Sequence, residues 1–352
     1  MFSFVAAEKA NYPVAVMCRV LGVNRTSFHD WERRAPSDRT LGDAWLTEKI
    51  RKIHAASKGT YGARRVHADL RLEHGVRIAR KRVERLMRAA GISGVLPRKR
   101  RRTTVRLPGV RVAPDLVERD FNPTAPDRTW SADITYISTW QGFLYLAHVQ
   151  DLYSRRIVGW SMAEHLRAEL VVSALEMALA RRRPDPGVVH HSDQGCQYTA
   201  VLFTSRCAAA AIDVSMGSKG DCFDNACCET FHATLKKELI YRQPWPTRDI
   251  VRTAIFEYIE GWYNPRRRHS TLGYLSPAQY EQQHADQLQQ ALEGAISDNG
   301  SVVAISQNAA NELTTSRRSL VGVDFAVDRP ISRENALAVP TGSAQAATTA
   351  VK

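Results

Sequence analysis

A chain of 352 residues, 44% of them hydrophobic, can bury at least one substantial core and hold two or three folding units. Its formal charge of +13 lies wholly in the first third: residues 1–128 carry 28 Lys and Arg against 13 Asp and Glu, and the remainder carries 21 against 23. This polarity, with no apolar run of bilayer length and no secretory h-region, excludes a membrane protein and predicts a cytoplasmic chain that holds a polyanion at one end and does chemistry at the other.

Residues 14–21 read as a short helix, Gly22 as a turn, and residues 24–33 as a second helix that Asn24 can cap. Arg25, Thr26 and Ser27 would then face outward for phosphate or base contacts, so residues 1–40 form a partial helix-turn-helix. Residues 41–93 give a fuller pattern, with helices at about 43–56, 63–73 and 79–90. In the third, Ala79, Val83, Leu86, Met87 and Ala90 make an apolar stripe. Its other faces carry Arg80, Lys81, Arg82, Arg85 and Arg88, with Glu84 in opposition. A solvated face is the bland alternative; a helix lying against DNA is the reading the charge favours. Residues 94–128 read as a basic, proline-containing linker around the run Arg98-Lys99-Arg100-Arg101-Arg102.

From Thr129 the pattern alternates. Strands are expected at 129–138, 143–151 and 156–162, followed by a helix at 168–182. A strand at 188–191, a helix at 200–211 and a strand at 213–215 come next. Helices at 225–241 and 247–263 complete an α/β unit with a mixed sheet over residues 129–285. Residues 286–352 shift to Gln, Ala, Ser, Thr and Asn, and read as a disordered tail. None of the six cysteines forms a C-x-x-C pair, which argues against a structural zinc finger.

Three carboxylates carry the candidate chemistry. Asp133 lies mid-strand among Ile134, Tyr136 and Ile137, where a buried charge is costly without a partner. Asp193 ends a strand, where α/β sheets place their ligands, and Glu229 projects from a helix 36 positions on. Converging, they make an oxygen pocket suited to Mg²⁺. The plain alternatives are a strand acceptor, a turn former and a surface glutamate. Asp224 reads as the cap of the Glu229 helix and Asp151 as a turn residue. Lys236, seven residues past Glu229, shares its helix face and can hold a phosphate. Arg266, Arg267 and Arg268, after Trp262-Tyr263-Asn264-Pro265, could clamp phosphates or equally form a capping turn with a solvated basic end.

Together these segments resemble the bacterial insertion-sequence-three family of DDE transposases, downstream-frame products with a retroviral-integrase-like core. The resemblance spans residues from about 17 to 282 and rests on Trp130-Ser131-Ala132-Asp133-Ile134-Thr135-Tyr136, His191-Ser192-Asp193-Gln194-Gly195, Asp224-Asn225-Ala226 through Glu229 to Lys236, and Tyr263-Asn264 through Arg268-His269-Ser270. Leu272-Gly273-Tyr274-Leu275-Ser276-Pro277 and Gly59-Thr60-Tyr61-Gly62-Ala63-Arg64-Arg65 add to it. It implies an RNase H-like mixed five-stranded sheet flanked by helices and preceded by an all-α helix-turn-helix region. It further implies that Asp133, Asp193 and Glu229 hold two Mg²⁺ ions, with Mn²⁺ as a substitute, for cleavage and 3′-OH strand transfer at the element's terminal inverted repeats. The implied partners are element-end and target DNA, further copies of the chain on that DNA, and an upstream-frame DNA-binding protein as fusion or partner; the implied location is the nucleoid. An RNase H-type nuclease and a non-catalytic regulator bound to the element end are the competing functions.

Overall fold

The computed structural model describes residues 1–95, 113–117, 122–217 and 226–298. The basic run at 98–102, Asp224 and the tail beyond 298 lie outside the described residues.

Helix α1 (Phe2–Glu8) precedes the expected pair α2 (Val14–Val20) and α3 (Arg25–Arg33). The three close over Val5, Met17, Cys18 and Phe28. Asn24 caps α3 by accepting from the Ser27 amide at 3.2 Å. Helix α4 (Asp38–Ala56) starts five residues before its expected position because Ser37 accepts from the Thr40 amide and Asp38 opposes the helix dipole. With α5 (Ala63–Leu72) and α6 (Arg80–Ala89) it buries Leu46, Ile50, Val66, Leu70, Val83 and Leu86.

That core is not self-contained. Through Tyr61, in the loop before α5, it runs on into Trp262, Phe231 and Leu235 of the second half of the chain. The Tyr61 ring lies 5.5 Å from that of Trp262, and its hydroxyl accepts from the Arg268 amide at 2.8 Å. A buried phenol needs such a partner, so the joint is both apolar and hydrogen-bonded.

The five strands β1 (Thr129–Thr139), β2 (Gly142–Asp151), β3 (Ile157–Ala163), β4 (Val188–Ser192) and β5 (Ile212–Met216) form one sheet in the order β3-β2-β1-β4-β5. The first three are an antiparallel meander; β4 and β5 run parallel to β1. This is the mixed RNase H-like sheet expected. Strand alternation sends Trp130 and Ala132 toward α7 (Ala168–Arg182) and α8 (Val201–Ala209), whose Leu170, Ala174, Phe203 and Cys207 fill that side. Ile137 points the other way, to α9 (Ala226–Glu238) and α10 (Arg248–Tyr258). Helix α7 approaches β3 closely: a Cβ at Gly159 would sit 2.1 Å from the Ala174 carbonyl oxygen.

Past Tyr258 the expected long helix widens into a π-helical turn, Ile259–Tyr263. Helix α11 (Pro277–Asp298) corrects the expectation of disorder from residue 286. Gln, Ala, Leu and Glu are good helix formers, and Gln282 to Asp286 and Gln289 to Glu293 bonds brace it at i,i+4 spacing. A buried ionic network anchors its start. Arg182 at the end of α7 donates to Asp127 at 2.8 Å and to Glu281 of α11 at 3.0 Å, and Glu281 also accepts from Arg156 and Ser154. Asp151 accepts from the Ser154 amide at 2.8 Å, the turn role expected of it. Its carboxyl is pushed up to about 7 by burial and by the charge of Asp127.

Candidate active site

Parallel pairing of β1 with β4 sets Ser131 level with His191, and the pairing ends there. Asp133 and Asp193 each lie two residues further along, so they stand side by side where the strands part. The structure brings this pair together. Burial raises the Asp133 carboxyl above its ordinary range, against the opposing pull of His148, the Ile134 amide and Lys236. Asp193 is exposed at the strand end, yet the protein around it depletes its hydration, and repulsion from Asp133 raises its pKa further. Its Oδ1 accepts from the Gly195 amide at 3.1 Å. A Cβ at Gly195 would lie 2.9 Å from that oxygen, so a larger residue there would push the Asp193 carboxylate from this position.

Helix α9 packs on the same side of β1. Cys228 Sγ lies 2.8 Å from Ser131 Oγ, and His232 Nδ1 lies 3.4 Å from Asp133 Oδ2. Glu229, between these two contacts, is exposed, and the described residues contain no group of three side chains placed to hold one metal ion. The expected convergence therefore extends to Asp133 and Asp193, while Glu229 stays outside. A third carboxylate at that point would add to a repulsion the first two already feel. The Lys236 ammonium rests 5.1 Å over the Tyr136 ring, and its charge lowers the Asp133 pKa.

Two histidines complete the surroundings, neither of them marked out by the sequence pattern. His148 stands opposite Asp133 on β2, fully buried, and its Nδ1 is 3.1 Å from His232 Nε2. Burial and the neighbouring imidazole depress the His148 pKa well below the ordinary value. Neutral rings satisfy the chain if His148 Nδ1–H donates to His232 Nε2 and His232 Nδ1–H faces Asp133. His232 was within reach of sequence, three residues past Glu229 and hence on the same face; His148 carried no signal beyond a polar residue in an apolar strand.

Several basic residues have other employment. Arg267 is buried and donates to both Glu238 oxygens, at 2.9 and 2.8 Å. Arg268, also buried, bonds Asp69 and Glu73 of the N-terminal helices at 3.0 and 2.9 Å. Neither can contact DNA; only Arg266 of the three is exposed. This corrects the phosphate-clamp reading, for the physical reason that carboxylates remote in sequence fold onto these guanidiniums. On α6, Arg82 and Arg85 share Asp43 of α4 at 2.8 and 2.6 Å, so Glu84 is not their sole counter-charge, and Arg80 pairs with Glu84 at 3.1 Å. Lys81 and Arg88 are exposed, with no ion pair among the described residues.

Models of the integrase core domain match residues 123–222 and 229–284, and a model of an HTH-like domain matches residues 41–101. The chain is 40% identical over 268 residues to the insertion element IS600 uncharacterized 31 kDa protein of Shigella sonnei, covering 76% of this chain and 98% of that protein. It is 41% identical over 275 residues to a putative transposase for insertion sequence element IS986/IS6110 of Mycobacterium tuberculosis, covering 76% and 98%. To transposase InsF for insertion sequence IS3A of Escherichia coli it is 37% identical over 282 residues, covering 80% and 98%. Among solved structures, the simian T-cell lymphotropic virus intasome in complex with a PP2A regulatory subunit aligns at TM-score 0.39 and 16% identity, covering 66% of this chain and 73% of that one. The magnesium-bound HTLV-2 integrase catalytic core aligns at TM-score 0.35 and 16% identity, covering 45% and 97%.

Proposed function

This chain belongs to the insertion-sequence-three family of transposases, and from that premise we propose that it cleaves DNA at the element's terminal inverted repeats and joins the freed 3′-OH to target DNA. The observation that carries the proposal is the Asp133–Asp193 pair, two carboxylates held side by side at a strand divergence, both raised in pKa by burial and Asp193 further by the charge of Asp133. An all-oxygen, mutually repelling donor set fits a hard divalent cation, whose charge would relieve the repulsion. Asp133 and Asp193 would hold it, and Glu229, exposed on a helix fastened to β1 on either side of it, would have to turn inward to serve as a third ligand. Bound there, Mg²⁺ supplies Lewis-acid stabilisation of phosphoryl oxygens and a more acidic nucleophile.

The chain's own groups do the rest. His232 orients Asp133 through one carboxylate oxygen, and Gly195 leaves the space in which Asp193 sits. Lys236 meets a phosphate beside them, and Lys81 and Arg88 meet the duplex backbone along α6. Joining two ends requires synapsis, so the working form is a homo-oligomer on DNA, with the upstream-frame protein as fusion or partner. Among the described residues no helix is long and apolar enough to cross a membrane.

The test is a strand-transfer assay on element-end oligonucleotides with Mg²⁺ or Mn²⁺. Asp133→Asn, Asp193→Asn and Glu229→Gln should each abolish joining and leave end binding intact. Joining retained by any of them contradicts the assignment. Hydrolysis without joining by the unmutated chain would make it an RNase H-type nuclease, and binding with neither would make it a regulator.

A further inference from the structure

The hairpin joining β1 to β2 carries aromatic rings that no core covers. Tyr136 is 57% exposed and Phe143 is 48% exposed. In the β1–β2 register Tyr136 stands opposite Tyr145, and Ser138 opposite Phe143, so the three rings share one face. Phe143 meets Tyr136 edge-on, centroids 5.2 Å apart, and lies 6.4 Å from Tyr145. Pairing with β4 stops at Ser131, so among the described residues that flank of β1 has no strand beside it. There Lys236 extends from α9 on the opposite face to the Tyr136 ring, 5.1 Å from its centroid, while Asp133 still feels its charge. One cation thus links an exposed aromatic face to the carboxylate pair.

A contiguous exposed aromatic face, unlike a single exposed ring, marks a place where a ligand binds. The ligand suited to this place is flat, has a π face and is attached to an anion. A base inside a duplex has both faces already covered, whereas an unpaired one offers a face to an aromatic side chain. We propose that Tyr136, braced by Phe143, is the stacking platform for an unpaired nucleobase at the DNA end, with Lys236 against the phosphate next to it. The inference rests on the strand-transfer reading and names how the end is presented: frayed, its last base lifted from its partner.

The experiment uses the full chain and element-end duplexes carrying 2-aminopurine at the terminal position, either fully paired or with the last two positions mismatched. Anisotropy gives affinity, and 2-aminopurine emission reports stacking. The unmutated chain should bind the frayed end more tightly and quench the probe. Tyr136→Ala should lose that preference by about tenfold, within what base–aromatic stacking supplies, and lose the quenching. Tyr136→Phe should keep both. Should the alanine variant melt at a lower temperature, Tyr136→Leu keeps the bulk without the π face and should show the same loss. Retained preference and quenching in the alanine or leucine variant overturns the proposal, as does a phenylalanine variant as impaired as alanine. A change in sedimentation with unchanged base preference would reassign the face to a protein contact and equally overturn it. Asp193→Asn separates the two readings: it should keep the frayed-end preference while losing joining, so joining by that variant indicts the carboxylates and not the platform.

Discussion

Replacing Arg267 with alanine should unfold the protein sooner rather than loosen its hold on DNA. Arg267 is 4% exposed and Glu238, its partner, 8%. Two of its nitrogens reach both carboxylate oxygens, and Tyr258 donates a further bond at 2.9 Å. Arg65 approaches at 3.5 Å. Alanine would leave Glu238 buried with a phenol and one distant cation. Breaking one side of such a pair costs about 3–5 kcal/mol. In a chain of this size that lowers the melting temperature by roughly 10 °C. The pH dependence has a definite sign. Arg267 holds the Glu238 carboxyl below the ordinary glutamate range against the cost of burial, so its contribution is present above that range and is lost as pH falls through the depressed value. In the alanine variant burial acts without that opposition, and protonation relieves the orphaned charge. The gap between variant and parent should be widest near neutrality and narrow toward pH 4. Arg267→Met combined with Glu238→Gln should recover much of the loss, since neither charge is then stranded. Calorimetry and urea titration across that range measure all of this. An unchanged melting temperature with weakened DNA binding would refute the reasoning.

Gly159→Ala should cost upwards of about 3 kcal/mol in urea titration, because the new methyl meets helix backbone that cannot step aside. Lys81→Ala and Arg88→Ala should weaken binding to all duplexes alike and each reduce the salt slope by about one; a loss confined to one sequence would assign base contact instead. His190 is buried against Phe203, with no hydrogen-bond partner for either ring nitrogen among the described residues, and its pKa is lowered to about 4 by burial. A depressed histidine stabilises above its unfolded pKa and loses that contribution as pH falls toward the folded value. His190→Phe should therefore flatten the loss of stability between about pH 6.5 and pH 4; an unaltered slope there would show that other groups carry it.

Local pattern told most about the sheet and its carboxylates. Helix α7 begins and ends where its periodicity does, at Ala168 and Arg182. Asp133 and Asp193 stood out because a strand interior and a strand end are places where charge needs a reason. Helical register alone linked Lys236 to the Glu229 face. What stayed hidden was partnership across long separations. Arg268 takes Asp69 and Glu73 from nearly 200 residues away, with separations of 199 and 195. Charge counting registers such arginines as surplus and cannot see the carboxylates that meet them. The same limit concealed Asp43 between Arg82 and Arg85. Helix α11 was misjudged for another reason: Gln- and Ala-rich composition describes a chain with little to bury, and equally one that coils readily once Pro277 and Glu281 fix its start.

The joint at Tyr61 bears on how such an enzyme changes its address. Because the three-helix head and the half that carries the sheet share one continuous interior, a change at the joint is felt on both sides of it. Substitutions on the outer skin of α6 leave that hinge of aromatic and arginine side chains untouched.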